Sequence, residues 1–404
     1  MPNQDPQRAD WPARRDSVAL KQQKAYVDRI RAGVGDLAAN GAMENDARVY
    51  TDPARLEAEI ENVFKGHPIL AALSQDLPEP GSIFLFEELD TSIIITRNKA
   101  DEVHAFLNMC THRAAKLAEE ACVKRLITCP FHGWSFDLNG CLIAVPEAEA
   151  FENMDRETKS LISVPCTEWA GMIFIVPHPG DEAIDISAHL GDFAIELEQL
   201  ELHRAEPVKN GVIEADCNWK YALDTYGEGY HFPVLHPKTV SPISRTETLY
   251  ESFGRHHRIG WAARAQAELV DKPEADWPKP DYSGVHYLFP NTVIFFGTVT
   301  ETAPFAQIFR HFPDGVGKMY TRFAVYAPGG VRDEVHREEV ATLGFDATAH
   351  VVETEDYWVA SNGWERLKSA PEGFKVTYGA NEIALQHQHR NIAEAAGMAL
   401  DVYS

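Results

Sequence analysis

The apolar positions of this chain follow two rhythms, and the change between them falls near residue 80. Up to about residue 75 the pattern is helical and charged. Ser17 to Ala32 places Leu20, Tyr26, Val27 and Ile30 among Lys, Gln and Arg, a helix with a narrow apolar stripe, and Gly33 follows as its stop. Asp52-Pro53 opens a second helix, with Asp52 as N-cap and Pro53 in the first helical position. From Gly81 the rhythm shortens to that of strands: Ser82–Phe86, Ser92–Thr96 and Val103–Leu107 are β-branched or aromatic runs separated by turns. Asn139-Gly140 predicts a type I′ hairpin turn. Met172–Val176 closes this all-β stretch, and Pro177–Asp181 reads as a linker. Beyond it the pattern mixes strands (Tyr287–Leu288, Thr292–Gly297, Phe305–Phe312, Met319–Tyr326) with polar helices, Arg332 to Gly344 and Asn381 to Ala396. The fold class is therefore α+β. Three divisions are expected: a helical segment 1–78 packing on the C-terminal domain, an all-β domain 79–178, and a C-terminal domain 179–404 of sheet with helices.

Composition narrows the function. The 404 residues suffice for two domains, and the net charge of −24 argues against a nucleic-acid partner. It suits docking of a basic partner protein, or simply solubility. No apolar run reaches membrane-spanning length and the N-terminus has no signal-peptide core, so a cytoplasmic protein is expected, with free thiols among its six cysteines.

The candidate chemistry sits in two clusters. Cys110-x-His112 is followed after sixteen residues by Cys129-x-x-His132. Two Cys and two His in short pairs fit a Rieske [2Fe–2S] centre, in which two imidazoles replace two thiolates on one iron and raise the potential. Tetrahedral zinc takes the same ligand types, but usually with wider spacing within each pair. Pro130 and Gly133 suit a tight loop whose amides point at sulfur, and Trp134 is placed to shield the centre. Cys122 lies between the motifs without a paired His and reads as structural. The second cluster follows Asn218-Trp219-Lys220: Asp224, Glu228 and His231 at i, i+4 and i+7 predict one shared helix face, ended by Pro233, with His236 in the turn beyond. Two imidazoles and a carboxylate with open positions form the facial triad of non-haem Fe(II) oxygenases.

Asn108–Arg113 and Cys129–Trp134 resemble the two cluster loops of the Rieske family, and residues 80 to 400 resemble the Rieske non-haem iron oxygenases, the terminal components of ring-hydroxylating dioxygenases and related monooxygenases. The resemblance implies a Rieske domain joined to a helix-grip catalytic domain. It makes Cys110, His112, Cys129 and His132 the cluster ligands, and His231, His236 and Asp356 the ligands of a mononuclear Fe(II). Asp356 comes from the acidic pair Glu355-Asp356, beside which Glu353 and Glu355 stand as alternatives. Glu228 occupies the place of the family's bridging Asp, which links an iron-bound His to a cluster His of the neighbouring subunit. Glu there is similar to the carnitine and glycine-betaine monooxygenases. Asp224 and Glu228 are the candidate catalytic acids.

By the same resemblance the chain is a terminal oxygenase and a homotrimer. Electrons come from NAD(P)H through a flavin/iron–sulfur reductase or a ferredoxin, and O₂ oxidises a small molecule. An aromatic or aromatic-acid substrate ranks first and a quaternary amine second. Candidate pocket walls are Phe232, Leu235, Tyr287, Phe289, Val293 and Phe295, and Trp261, Tyr282 and Tyr287 are candidate members of an aromatic cage. Arg255–Arg258 reads as a solvated strand edge rather than a carboxylate clamp, and Gln386–His389 as an exposed helix face rather than a metal site. The rival readings are a Rieske electron carrier without a second iron and, ranked last, a zinc hydrolase built on Glu228, His231 and His236.

Overall fold

The computed structural model describes residues 11–300 and 303–398. The α+β architecture expected from the sequence is present in two units. One holds Phe64–His189 with Leu202–Arg204; the other holds the chain up to Val63, Leu190–Glu201 and the chain from Ala205 onward. The divisions fall before those expected at 78 and after that expected at 178. Ile69–Leu73, in the stretch read as helical, is a fully buried strand paired antiparallel with Met172–Ile175. An unbroken apolar run has no period to tell strand from helix, so tertiary pairing decides it. Met43–Asp46 is a second strand in that stretch, paired with Lys375–Tyr378. The helix stop at Gly33 and the helix start at Asp52 read from sequence are present, while the first helix already runs from Trp11, ahead of the Ser17 read from sequence. Trp11–Ala32 ends at Gly33, whose φ is +67°, and Asp52 accepts a hydrogen bond from the Ala54 N–H at 2.9 Å.

The Phe64–His189 unit is built from small antiparallel sheets. Its main sheet has the order Ser163–Val164, Val103–Leu107, Thr91–Arg97, Ser82–Glu88, Cys122–Val123. Ile127–Thr128, Ser135–Phe136 and Leu142–Ala144 form a separate three-stranded sheet. The turn at Asn139-Gly140 joins the last two strands, but it is not type I′. Within it Gly140 has left-handed backbone at φ +84°, while Asp137 Oδ1 accepts from the N–H groups of Asn139 and Cys141, both at 2.9 Å. A side chain, not a second left-handed residue, closes the turn.

The larger unit centres on seven antiparallel strands in the order Glu206–Ala215, Met319–Ala327, Ala303–Pro313, Thr292–Thr300, Gly284–Leu288, His256–Ala263, Ser244–Phe253. Cross-strand partners share a face. His257, Tyr287, Val293, Phe309 and Phe323 run across the sheet as successive partners. Helices cover that face: Phe345 stacks on Phe323 at 4.6 Å, and His387 lies 5.6 Å from His257. The first helix covers the other face, with Tyr26 against Gly260.

Three further expectations are corrected here. The helix expected to stop at Gly344 continues, as alternating α and π turns, from Glu334 to Leu367. Gly344 is close to the sheet, where a Cβ would fall 3.2 Å from Val325 Cγ1, and its carbonyl accepts from Gln307 Nε2 at 2.5 Å. The Arg255–Arg258 run is not a solvated edge: His256, His257 and Arg258 are buried, and Arg258 is paired with Glu196 and Glu251. The Gln386–His389 run is not an exposed face either. Gln386, Gln388 and His389 are each 1% exposed, and Gln386 Nε2 donates to the carbonyls of Gly41, Tyr378 and Gly379. Among the described residues no helix is long and apolar enough to cross a membrane.

Candidate metal centres and family

In the smaller unit Cys110 follows the strand Val103–Leu107, and Cys129 to Trp134 forms the loop between Ile127–Thr128 and Ser135–Phe136. The loop is tied by Trp134 O, which accepts from the Cys129 N–H at 2.8 Å. It turns on Gly133 at φ +73°, a conformation glycine adopts without steric cost. The four candidate ligands converge. Cys110 and Cys129 are 1% and 3% exposed and their thiols are in contact; the His112 and His132 rings are 4.7 Å apart. Burial raises the Cys110 thiol pKa, while the N–H groups of His112 and Arg113 that point at its sulfur oppose the rise. His112 stacks on Trp134 at 4.7 Å and 7°, the shielding position expected for that indole. Its Nδ1 is buried and finds no protein partner. Two buried thiols, two adjoining imidazoles and an orphaned ring nitrogen fit a Cys₂His₂ [2Fe–2S] centre, with amides already aimed at one sulfur.

In the larger unit Asn218 caps a helix over Trp219–Asp224 by accepting from the Lys220 N–H at 3.1 Å. Buried Glu59 holds both the Trp219 indole N–H, at 2.8 Å, and the Lys220 ammonium, at 2.6 Å. This helix does not carry the expected common face. It ends at Asp224, the chain passes through Gly227 and Gly229, and a new short helix, Phe232–Leu235, begins with Pro233 inside it. The glycines are there for space: a Cβ on Gly227 would lie 2.5 Å from Leu385, and one on Gly229 would lie 2.5 Å from Trp261 Nε1. Asp224 consequently stays behind. Its carboxylate accepts from the Tyr50 hydroxyl and lies 3.0 Å from His389 Nε2.

His231, His236 and Asp356 do converge, with one ligand atom from each inside a common 4.8 Å. Asp356 Oδ1 is 3.1 Å from His236 Nε2 and 3.6 Å from His231 Nε2. Each imidazole is held from behind by a carboxylate. Glu228 pairs with His231 Nδ1 and accepts from the backbone N–H groups of Tyr230 and His231. Glu355 Oε2 is 2.5 Å from His236 Nδ1 and also accepts from Thr239 Oγ1 at 2.8 Å. Sequence placed Glu355 among the possible ligands; in the structure it orients His236, and Asp356 faces the triad. Both acids close the π turn Val352–Asp356, a wide turn of the sort found at functional sites. Burial alone would lower the His236 pKa, but Asp356 and Glu355 outweigh it and raise it. Two imidazoles and a carboxylate with a common focus fit a mononuclear iron with open positions.

Among the expected pocket walls, Phe232 is buried with its ring 5.0 Å from His231 and 4.9 Å from Trp261. Tyr287, Val293 and Phe295 share the helix-covered face. The three cage candidates separate. Tyr282 is bonded to His286 at 2.6 Å and the Tyr287 hydroxyl donates to Pro290 O, which leaves Trp261 beside the triad. Trp261 and Thr239 are the neighbours of the triad whose place sequence spacing alone did not show.

Two Cys/His pairs with buried thiols beside an all-β core, and a two-His, one-carboxylate focus on a helix-covered sheet, define a two-centre oxygenase. The comparisons agree. The family described as Rieske [2Fe-2S] domain matches residues 67–165, and that described as ring hydroxylating alpha subunit (catalytic domain) matches residues 202–397. The chain belongs to the Rieske non-haem iron oxygenase alpha subunits. It is 31% identical over 280 residues to the carnitine monooxygenase oxygenase subunit of Acinetobacter baumannii, covering 69% of this chain and 74% of that one. It is 26% identical over 244 residues to the benzene 1,2-dioxygenase alpha subunit of Pseudomonas putida, covering 56% and 53%. A solved quaternary ammonium Rieske monooxygenase in complex with L-carnitine has the same fold, with a TM-score of 0.73 over 89% of this chain and 96% of that one, at 20% identity. The protein is an enzyme of this class, and its cofactors are a Rieske cluster and a mononuclear iron.

Proposed function

We propose that the chain is the oxygenase component of a monooxygenase of small quaternary ammonium compounds. The observation that carries this is the likeness to a carnitine monooxygenase across 69% of the chain, with Glu228 seated on His231 where the wider family places Asp. This favours the amine over the aromatic substrate that ranked first on sequence. The overall change is R–H + O₂ + NAD(P)H + H⁺ → R–OH + NAD(P)⁺ + H₂O, with a reductase or ferredoxin delivering the electrons.

Cys110, Cys129, His112 and His132 would hold the cluster, and His231, His236 and Asp356 the iron. Bound there, the cluster supplies single electrons and the iron supplies the activation of O₂. Glu228 and Glu355 fix the ring orientation of His231 and His236, each from its Nδ1 side, which leaves both Nε2 atoms for the metal. Phe232 and Trp261 exclude water from one side. The second face of Glu228 is the acceptor for a cluster His of a neighbouring copy, in a closed homotrimeric ring. Exposed Tyr230 and Val234 beside it, and exposed Phe131 against His132, supply apolar surface for that contact. A reductase fed by NAD(P)H, and six cysteines all free, agree with a cytoplasmic setting.

The test is a substrate screen on the holoprotein with a reductase, following O₂ uptake and product together. Carnitine, γ-butyrobetaine, choline and glycine betaine are set against benzene and benzoate. Stoichiometric product from one of the amines supports the reading; product from the aromatics alone overturns it.

A further inference from the structure

A cavity of about 440 Å³ lies in the larger unit between the first helix and the end of the sheet marked by Ala263 and Gly284. Gln22, Gln23 and Tyr26 line it from the helix; Trp261, Val285 and Phe295 line it from the strands. The volume is within the range of small-molecule sites. That helix, Trp11–Ala32, lies outside both stretches matched by the families.

The cavity adjoins the iron site through one residue. Val285 and Phe295 are cross-strand partners on the sheet face opposite the first helix, and Trp261 follows Ile259, the partner of Val285, at the spacing that keeps it on that face, so the cavity lining takes in residues of both faces at the strand ends. The Trp261 ring is 4.9 Å from Phe232, which in turn lies 5.0 Å from His231. Gly229, two residues before His231, leaves room for the indole edge, and the buried indole N–H has no protein partner. Trp261 is thus both the inner wall of the cavity and a neighbour of the triad.

The lining also selects a charge. Asp281 is its one charged residue, and no Lys, Arg or His lines it. Tyr26, Trp261 and Phe295 supply aromatic surface. A quaternary ammonium has no N–H to satisfy; aromatic faces and a nearby carboxylate are the groups that attract it. The Tyr26 hydroxyl is held close to the sheet, since a Cβ on Gly260 would fall 2.2 Å from it, so the helix wall is fixed in place.

We propose that this cavity is the vestibule by which the quaternary ammonium substrate reaches the iron, with the first helix and Asp281 setting its width and charge preference. The inference rests on the substrate reading above. Its test uses two exposed lining positions, Ala265→Trp to narrow the mouth and Asp281→Asn to remove the charge. Association and dissociation of γ-butyrobetaine on the holoprotein are followed by stopped-flow, Kd by calorimetry, and turnover by O₂ uptake. Ala265→Trp is expected to slow association and dissociation together by about tenfold while Kd and kcat stay within about twofold. Asp281→Asn is expected to slow association by about threefold, with the difference fading in high salt. Full visible absorption of the cluster in each variant shows that the fold is intact. Wild-type association rates in both variants would overturn the vestibule while leaving the substrate reading untouched. A wild type that binds none of the four amines and oxidises benzene instead would overturn the substrate reading, and the cationic assignment with it.

Discussion

At the scale of single residues, the account turns on acids that touch imidazoles rather than metals. Glu355 is the clearest case. Its carboxylate spans His236 Nδ1 and Thr239 Oγ1, and it is adjacent in sequence to Asp356, which faces the other side of the same ring. Glu355→Gln should therefore lower iron affinity by about 10- to 100-fold and leave the cluster spectrum unchanged. Iron titration of the apo-site followed by EPR of the nitric oxide adduct would show it; unchanged affinity would mean that packing alone holds His236. Glu228→Gln should retain iron and cluster but slow turnover by about 10- to 100-fold, seen as slow reoxidation of the reduced cluster under O₂ with substrate. Wild-type reoxidation would remove Glu228 from the electron path. The residues legible in the sequence were those whose partners are near in the chain. Cys110 with His112, Cys129 with His132, and His231 with His236 declare themselves by spacing. Asp356 lies 120 positions from His236, so only resemblance could nominate it, and nothing in the sequence separated its role from that of Glu355.

At the scale of elements, alternation was readable in Met319–Ala327 and silent in the two edge strands of the large sheet, while the central strand His256–Ala263 was misread because its buried positions are polar. Met319–Ala327 is flanked on both sides and mostly buried, and its apolar rhythm shows. Glu206–Ala215 and Ser244–Phe253 are the two edge strands of the seven-stranded sheet, are half-exposed and polar, and passed unnoticed. The helix Ile383–Ala395 misled in the opposite sense: its polar run is buried because Tyr378, Gly379, Gly41 and Asp224 supply partners that no local pattern announces. The sheet also carries a pH signature. Burial lowers the pKa of His286 to about 3 and that of His311 to about 4, and drives His257 well below its ordinary value. Neutral in the fold, these rings take up protons on unfolding. Their stabilising effect is whole above pH about 6.5, and each loses about 1.4 kcal/mol per pH unit as pH falls from there toward its folded value. Urea unfolding followed by tryptophan fluorescence should show a lower midpoint at pH 5.5 than at pH 7.5. A His311→Gln variant should lose less between the two. Equal losses would mean that other groups govern the acid limb.

At the scale of the whole molecule, the chain joins an electron store to a site of O₂ chemistry. The Cys110/His112/Cys129/His132 unit holds one electron at a time, and insertion of one oxygen atom needs two. The protein's contribution is therefore arrival of electrons at a site already closed over substrate. Glu228, seated on His231, is the side chain through which the proposed path from a neighbouring copy would join the two functions. The first helix and the cavity beside Trp261 then govern which molecule is present when the electrons arrive. The most direct test of this coupling is a single turnover without reductase. Fully reduced holoprotein is mixed with O₂ and γ-butyrobetaine, and cluster absorbance and product are followed together, in wild type and His231→Ala. The account predicts rapid cluster reoxidation with product in the wild type, and a cluster that stays reduced without product in the variant. Product and reoxidation at wild-type rate in His231→Ala would contradict it.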